Sequence, residues 1–161
     1  MKKRFKLYLE TSFWKRLVDD GPTPRREISY AFFRDVIGKH RVMVGKKVFE
    51  EITHTTPPAQ RNALFRRMDA CRAKTIPATA QIHDLAEQLL VAGGWGEGRR
   101  ADMVHLACAM ITGADALVTW DKSDLANDET RRIFKAVAKE RRLTLPHVGT
   151  PMEVKSCLGI A

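Results

Sequence analysis

Acidic residues recur at one kind of position in this chain. In the stretch RRADMVHLACAMITGADALVTWDKSDLAN, Arg99 to Asn127, Asp102 stands in the first turn of an apolar helical pattern. The apolar run ALVTW then ends in Asp121, and Asp124 follows three residues later. Two earlier segments close in the same way: FKLYLE ends in Glu10, and RVMVG is followed by Glu50 and Glu51. A carboxylate at the mouth of a buried element is costly unless something compensates it. Several on one cleft repel one another, by about 4 kcal/mol per pair at about 4 Å with an effective dielectric near 20. Some must then be protonated, or a hard divalent cation must neutralise them. Mg²⁺ and Mn²⁺ take oxygen ligands of this kind and also bind phosphate.

Each acid also has a simpler role open to it. Asp102 can cap its helix or favour the positive helix end. Asp121 and Asp124 can be turn or cap residues, since DKSD has turn composition. One of Glu50 and Glu51 belongs to the surface. Glu10 is hardest to explain locally, because an acid closing a buried strand has no task there.

For these acids to meet, the elements that carry them must lie side by side. The spacing predicts strands at FKLYLE (5–10), RVMVG (41–45), KTIPA (74–78), ADALVTW (114–120) and LTLPHVG (143–149). It predicts helices over 11–20, 26–39, 46–55, 59–74, 80–93, 99–113 and 128–142. Thr11 or Ser12 caps the first helix, and Gly21, Pro22 and Pro24 break it. The second places Ile28, Ala31, Phe32, Val36 and Ile37 on one face and stops at Gly38. Ile82, Leu85, Ala86, Leu89 and Leu90 share a face of the 80–93 helix. The closing TPMEVKSCLGIA carries no assignment. Strands alternating with helices imply an α/β class, a three-layer α/β/α arrangement with a parallel sheet of about four to five strands. Ligands in such sheets bind outside the carboxyl ends of the strands, where the acids stand.

The 161 residues suit one domain over 1–161, with 44% hydrophobic and 29% charged residues. No apolar run approaches the roughly 20 residues of a membrane span. MKKRFKLYLETS lacks the apolar region and cleavage site of a signal peptide, so a cytoplasmic location is expected. Cys71, Cys108 and Cys157 are odd in number and scattered, which argues against disulfides and zinc; all three are expected as small buried hydrophobes. The formal charge of +9 favours polyanionic partners. Arg131, Lys135, Lys139 and Arg142 cluster on one helix, and Arg66, Arg67, Arg72 and Lys74 form another group. Arg99 and Arg100, directly before Asp102, are the candidates for touching substrate phosphate.

Other motifs carry less. GGWGEG follows a helix and lacks the nucleotide-loop spacing, so it is expected as a glycine-capped turn. GKK at Gly45 to Lys47 lacks the rest of a phosphate loop. His105, one turn after Asp102, can stand behind the acids and support them, but a satisfied core histidine is the expected reading. Trp14, Trp95 and Trp120 can stack bases or fill the core. A receiver domain also places acids at strand ends, but it needs an acid pair after the first strand, where Glu10 is followed by Thr11 and Ser12.

Taken together, LYLETSFW, VFEEI, RADMVHLACAMITGADALVTWDKSDLAN and VGTPMEV resemble the PIN-domain nucleases, in particular the VapC-type toxins of bacterial toxin–antitoxin pairs. The resemblance spans nearly the whole chain in order, and its most specific block is Ala101 to Asn127. It implies a PIN-like fold and an endoribonuclease that hydrolyses RNA with Mg²⁺ or Mn²⁺. It also implies a cognate antitoxin and a homodimer. It places the acids on Glu10, on Glu51 rather than Glu50, on Asp102 and on Asp121, with Asp124 as a further metal ligand. It makes Thr11, Ser12 and Thr119 the polar residues that orient the cluster. The first acid of the family is usually Asp; here it is Glu, one methylene longer. The other function class open to such a chain is a catalytically inert PIN-like module that binds RNA or protein, and metal binding separates the two.

Overall fold

The computed structural model describes residues 2–161. Five parallel strands form one sheet in the order β3-β2-β1-β4-β5, with helices on both faces. The strands are β1 (Lys6–Leu9), β2 (Arg41–Gly45), β3 (Lys74–Ile76), β4 (Ala116–Val118) and β5 (His147–Gly149). The helices are α1 (Thr11–Arg16), α2 (Pro24–Asp35), α3 (Lys46–Thr55), α4 (Pro58–Ala70), α5 (Ala80–Gly93), α6 (Arg100–Ile111), α7 (Asp128–Arg141) and α8 (Pro151–Leu158).

Burial explains the strand order. Leu7, Tyr8 and Leu9 of β1 and Ala116, Leu117 and Val118 of β4 are all 0% exposed, as unbroken apolar strands covered on both faces must be. They pair in register, Leu7 with Ala116 and Leu9 with Val118. The chain runs outward from β1 through β2 to β3, then returns to β4 and β5. The order therefore reverses between β1 and β4, which opens a crevice beyond their carboxyl ends. Glu10 N–H donates to Val118 O at 3.1 Å and Thr119 N–H to Gly149 O at 2.9 Å. The ladder thus fixes both residues at the crevice.

Several expected boundaries shift, each for a local reason. Pro24, expected as a breaker, opens α2: Thr23 Oγ1 accepts from Arg26 N at 3.1 Å and Pro24 fills the first turn, where a missing N–H costs nothing. The expected 26–39 helix ends at Asp35 and passes into a 3-10 turn, Ile37–Lys39. KTIPA pairs only to Ile76, because Pro77 has no N–H to give; Pro146 likewise delays β5. ADALVTW narrows to Ala116–Val118. The unassigned C-terminal segment forms α8, whose signal was a capping box: Thr150 and Glu153 bond reciprocally, Pro151 takes the first turn and Gly159 closes it at φ +66°. Of the cysteines only Cys108 is buried. Cys71 is half-buried and Cys157 is exposed. Trp14 and Trp120 are core residues whose indole N–H groups reach Leu9 O at 3.0 Å and Ser29 Oγ at 2.8 Å. Among the described residues no helix is long and apolar enough to cross a membrane.

Candidate active site

The crevice holds two adjoining sets of groups. In the first, Glu10, Glu51 and His105 each offer an atom within 4.8 Å of the others; in the second, Asp102, Asp121 and Asp124 do the same. Glu10, expected among the metal ligands with the three aspartates, falls in the first set.

Glu10 ends β1 and caps α1. Its Oε2 accepts from Ser12 N at 3.0 Å, from Thr119 Oγ1 at 2.8 Å and from Ser12 Oγ. Ser12 Oγ in turn accepts Trp120 N–H at 2.8 Å, and Thr119 Oγ1 accepts Asp121 N–H at 3.0 Å. Ser12 and Thr119 therefore lace the end of β1 to the end of β4. The carboxylate is only 5% exposed, so these donors are what make its burial tolerable.

Glu51 lies three residues after buried Val48 and beside buried Ile52 on α3, which turns it inward. Glu50 faces out toward Lys46 and Lys47, at 4.0 and 3.7 Å. Glu51 Oε1 accepts from Thr11 Oγ1 at 2.8 Å and meets His105 Nε2 at 2.5 Å. Nδ1 of the same ring is 2.8 Å from the Tyr8 hydroxyl. Burial opposes charge on both partners. For Glu51 the bond and charge of His105, with Thr11 and Lys47, outweigh it and lower the carboxyl pKa. For His105, which is 0% exposed, the Glu51 bond and the charges of Glu10, Glu51 and Asp102 outweigh it and raise the imidazole pKa. Each partner thus favours the charged form of the other. Burial keeps the Tyr8 phenol protonated, its pKa well above the usual value. The Tyr8–His105–Glu51 chain was not foreseen from sequence; its one signal was His105 standing a helical turn from Asp102.

Gly45 lies beneath this chain. A Cβ there would sit 2.6 Å from the Tyr8 hydroxyl oxygen, although the backbone, at φ −78°, suits any residue. Gly45→Ala is expected to cost about 1–3 kcal/mol and to pull Tyr8 away from His105. Urea unfolding measures the first effect; a midpoint equal to the wild type would contradict it.

Asp102 stands in the first turn of α6, half-buried, and among the described residues no basic side chain pairs with it. Burial and the charges of Asp121, Asp124 and Glu10 push its pKa up to about 7, against a weaker pull from His105. Asp121 Oδ1 accepts Asp124 N–H at 2.9 Å, which folds the DKSD turn around the cluster. Arg99 and Arg100 are engaged within the chain. Arg99 stacks 3.9 Å over Trp95, bonds Asp124 O at 2.5 Å and Thr130 Oγ1 at 3.0 Å, and lies 3.6 Å from the Asp124 carboxylate. It clamps the turn that carries Asp121 and Asp124. Arg100 bonds Glu97 and Glu87, both at 2.6 Å.

The donor set fits a hard divalent cation. Three carboxylates converge against a single paired cation among the described residues, Arg99 at 3.6 Å from Asp124, and all the donors in the aspartate set are oxygen.

No protein-family model matches the chain, and no curated protein matches it by sequence. Solved structures do. The Mycobacterium tuberculosis toxin VapC20, described as cleaving the sarcin-ricin loop, superposes with a TM-score of 0.60 at 18% identity, over 73% of this chain and 91% of its own. VapBC2 from Rickettsia felis, solved on a DNA fragment from its promoter, superposes with a TM-score of 0.52 at 13% identity, over 89% of this chain and 96% of its own. At these identities the likeness shows the fold: the chain has the PIN-domain architecture of VapC-type proteins.

Proposed function

We propose that this chain, on a VapC-type PIN fold, is an endoribonuclease that hydrolyses RNA phosphodiester bonds with Mg²⁺ or Mn²⁺ and serves as the toxin of a toxin–antitoxin pair in the cytoplasm. The observation that carries the reading is the convergence of Asp102, Asp121 and Asp124 at the point where the strand order reverses, with Arg99 beside Asp124 the one cation paired to them among the described residues. These three would hold the cation, with Glu10 close enough for its charge to be felt at Asp102. Held there, a divalent ion would supply an acidified water for attack at phosphorus and would neutralise charge on the leaving oxygen.

The chain's own residues do the positioning. Ser12 and Thr119 fix the Glu10 carboxylate, and Thr11 and His105 fix Glu51. The lowered pKa keeps Glu51 ionised near neutral pH, able to take a proton from water or to orient one. No Ser–His or Cys–His nucleophile is needed. The toxin role draws on the two similar structures, one described as a sarcin-ricin loop cleaving toxin and the other as VapBC2 bound to a DNA fragment from its promoter. It predicts a cognate antitoxin and a homodimer.

Purified protein is expected to cut a structured RNA with Mn²⁺ or Mg²⁺, to stop in EDTA, and to lose cleavage on Asp121→Asn. Cutting that persists in EDTA would refute the metal assignment. RNA binding without metal-dependent cutting would favour the inert module.

A further inference from the structure

At the amino ends of the strands, across the sheet from the acids, the charge is reversed. A cavity of about 580 Å³ opens there, lined by Arg4, Lys6, His40, Arg41, Arg72 and Lys74, with no Asp or Glu among the described residues of its wall. Among the described residues, none of the five Lys and Arg side chains lining it forms an ion pair. The sheet itself causes the crowding. Lys6 of β1 lies in register with Arg41 of β2, and Lys74 of β3 starts opposite Met43 of β2. Neighbouring strands are only about 4.8 Å apart, and like charges on facing positions repel.

Helix ends answer part of this charge. α4 and α6 finish on the rim, at Cys71 and Thr112, and each helix end carries roughly half a negative charge. Together they balance about one cation of the five, and the Asp115 carboxylate, which accepts Lys6 N–H at 2.8 Å, adds one negative charge beside the rim. Phe5 N–H donates to His40 Nδ1 at 3.0 Å, so the neutral ring carries its proton on Nε2. Burial, helped by the charges of Arg4 and Lys39, lowers the His40 pKa. The wall also includes Val42, Met43 and Ile76, all nearly buried, so an apolar floor underlies a cationic rim. The volume lies within the range of small-ligand sites.

We propose that this cavity binds a phosphate-bearing anion of nucleotide size, either a free nucleotide or one unit of a nucleic-acid strand, with its phosphates on the Lys6–Arg41–Lys74 rim. The site is separate from the acid crevice and does not rest on the nuclease reading.

Anisotropy titrations with fluorescent ATP and with a short fluorescent single-stranded RNA, both in EDTA, test it. Arg41→Gln/Lys74→Gln removes two exposed cations of the rim. Arg132→Gln/Lys139→Gln removes two exposed cations of α7 and gives the same net charge. The rim variant is expected to bind at least about tenfold more weakly and to lower the salt slope for RNA by about two. The α7 variant should bind nearly as the wild type does. ATP binding assigns the site to free nucleotides, and RNA binding alone assigns it to a strand. Equal losses in the two double variants, or no binding of either probe at low salt, would overturn the proposal. Circular dichroism confirms that both double variants are folded.

Discussion

Asp102→Asn is expected to abolish RNA cleavage and, in EDTA, to make the folded protein more stable at neutral pH. The two effects have one cause. Burial and the charges of Asp121, Asp124 and Glu10 raise the Asp102 pKa from 3.8 to about 7. A carboxyl raised on folding holds a proton that the unfolded chain has already released. Between about pH 4 and pH 7 the folded state therefore binds more protons than the unfolded state, and stability falls as pH rises through that window. Above it the full cost remains. Asparagine carries no charge and escapes the cost, which is about 1–2 kcal/mol after allowance for solvent screening of a half-buried group. Urea midpoints in EDTA should show the advantage of the variant growing from pH 5 to pH 8. Adding Mn²⁺ should reverse the order, because only the wild type gains binding free energy. The cleavage loss should exceed the roughly 10–100-fold cost of removing a metal's outer partner. A variant that is less stable at pH 8 in EDTA, or that cuts RNA normally, would remove Asp102 from the site.

The second large effect concerns His105. His105→Leu keeps most of the volume but strands the Tyr8 hydroxyl and the Glu51 carboxylate. Breaking a buried ion pair from one side costs about 3–5 kcal/mol, and the lower figure applies here because the Glu51 side chain is 31% exposed. The pH dependence follows from the two shifts. The raised His105 pKa contributes stability that is complete below the unfolded value of 6.5 and is lost as pH rises through the folded value. The lowered Glu51 pKa contributes stability present above 4.5 and lost as pH falls through its folded value. The deficit of the variant should therefore be largest between those two unfolded values and smaller at pH 9. Cleavage should fall as well, since Glu51 is then held by Thr11 alone. A stability loss below about 1 kcal/mol at pH 6 would show that the pair is neutral or water-filled.

Much of the local structure could be read directly. Helices α3 and α5 run over the segments that their apolar spacing marks, because a helical period and its caps depend on residues within a turn or two. The inward turn of Glu51 was also implicit in the same period: it shares a face with Val48, and Glu50 does not. The α8 capping box was equally local and went unread. What sequence neighbours could not supply was direction. Arg99 and Arg100 directly precede Asp102, yet one reaches back to Trp95, Asp124 and Thr130 and the other to Glu87 and Glu97.

The sequence by itself determined that acids close the strands and open a buried helix, since those are properties of each segment alone. Tertiary structure decided which of them share a cleft, how Glu10 separates from the three aspartates, and that Tyr8, His105 and Glu51 form one chain. It also gathered Lys6, Arg41 and Lys74, which are ordinary surface cations in the sequence, onto one rim. The reason is that a parallel sheet sets its register through crossovers many residues long. Charges remote in the chain come together only when strand order and register are fixed by the packing of the whole core.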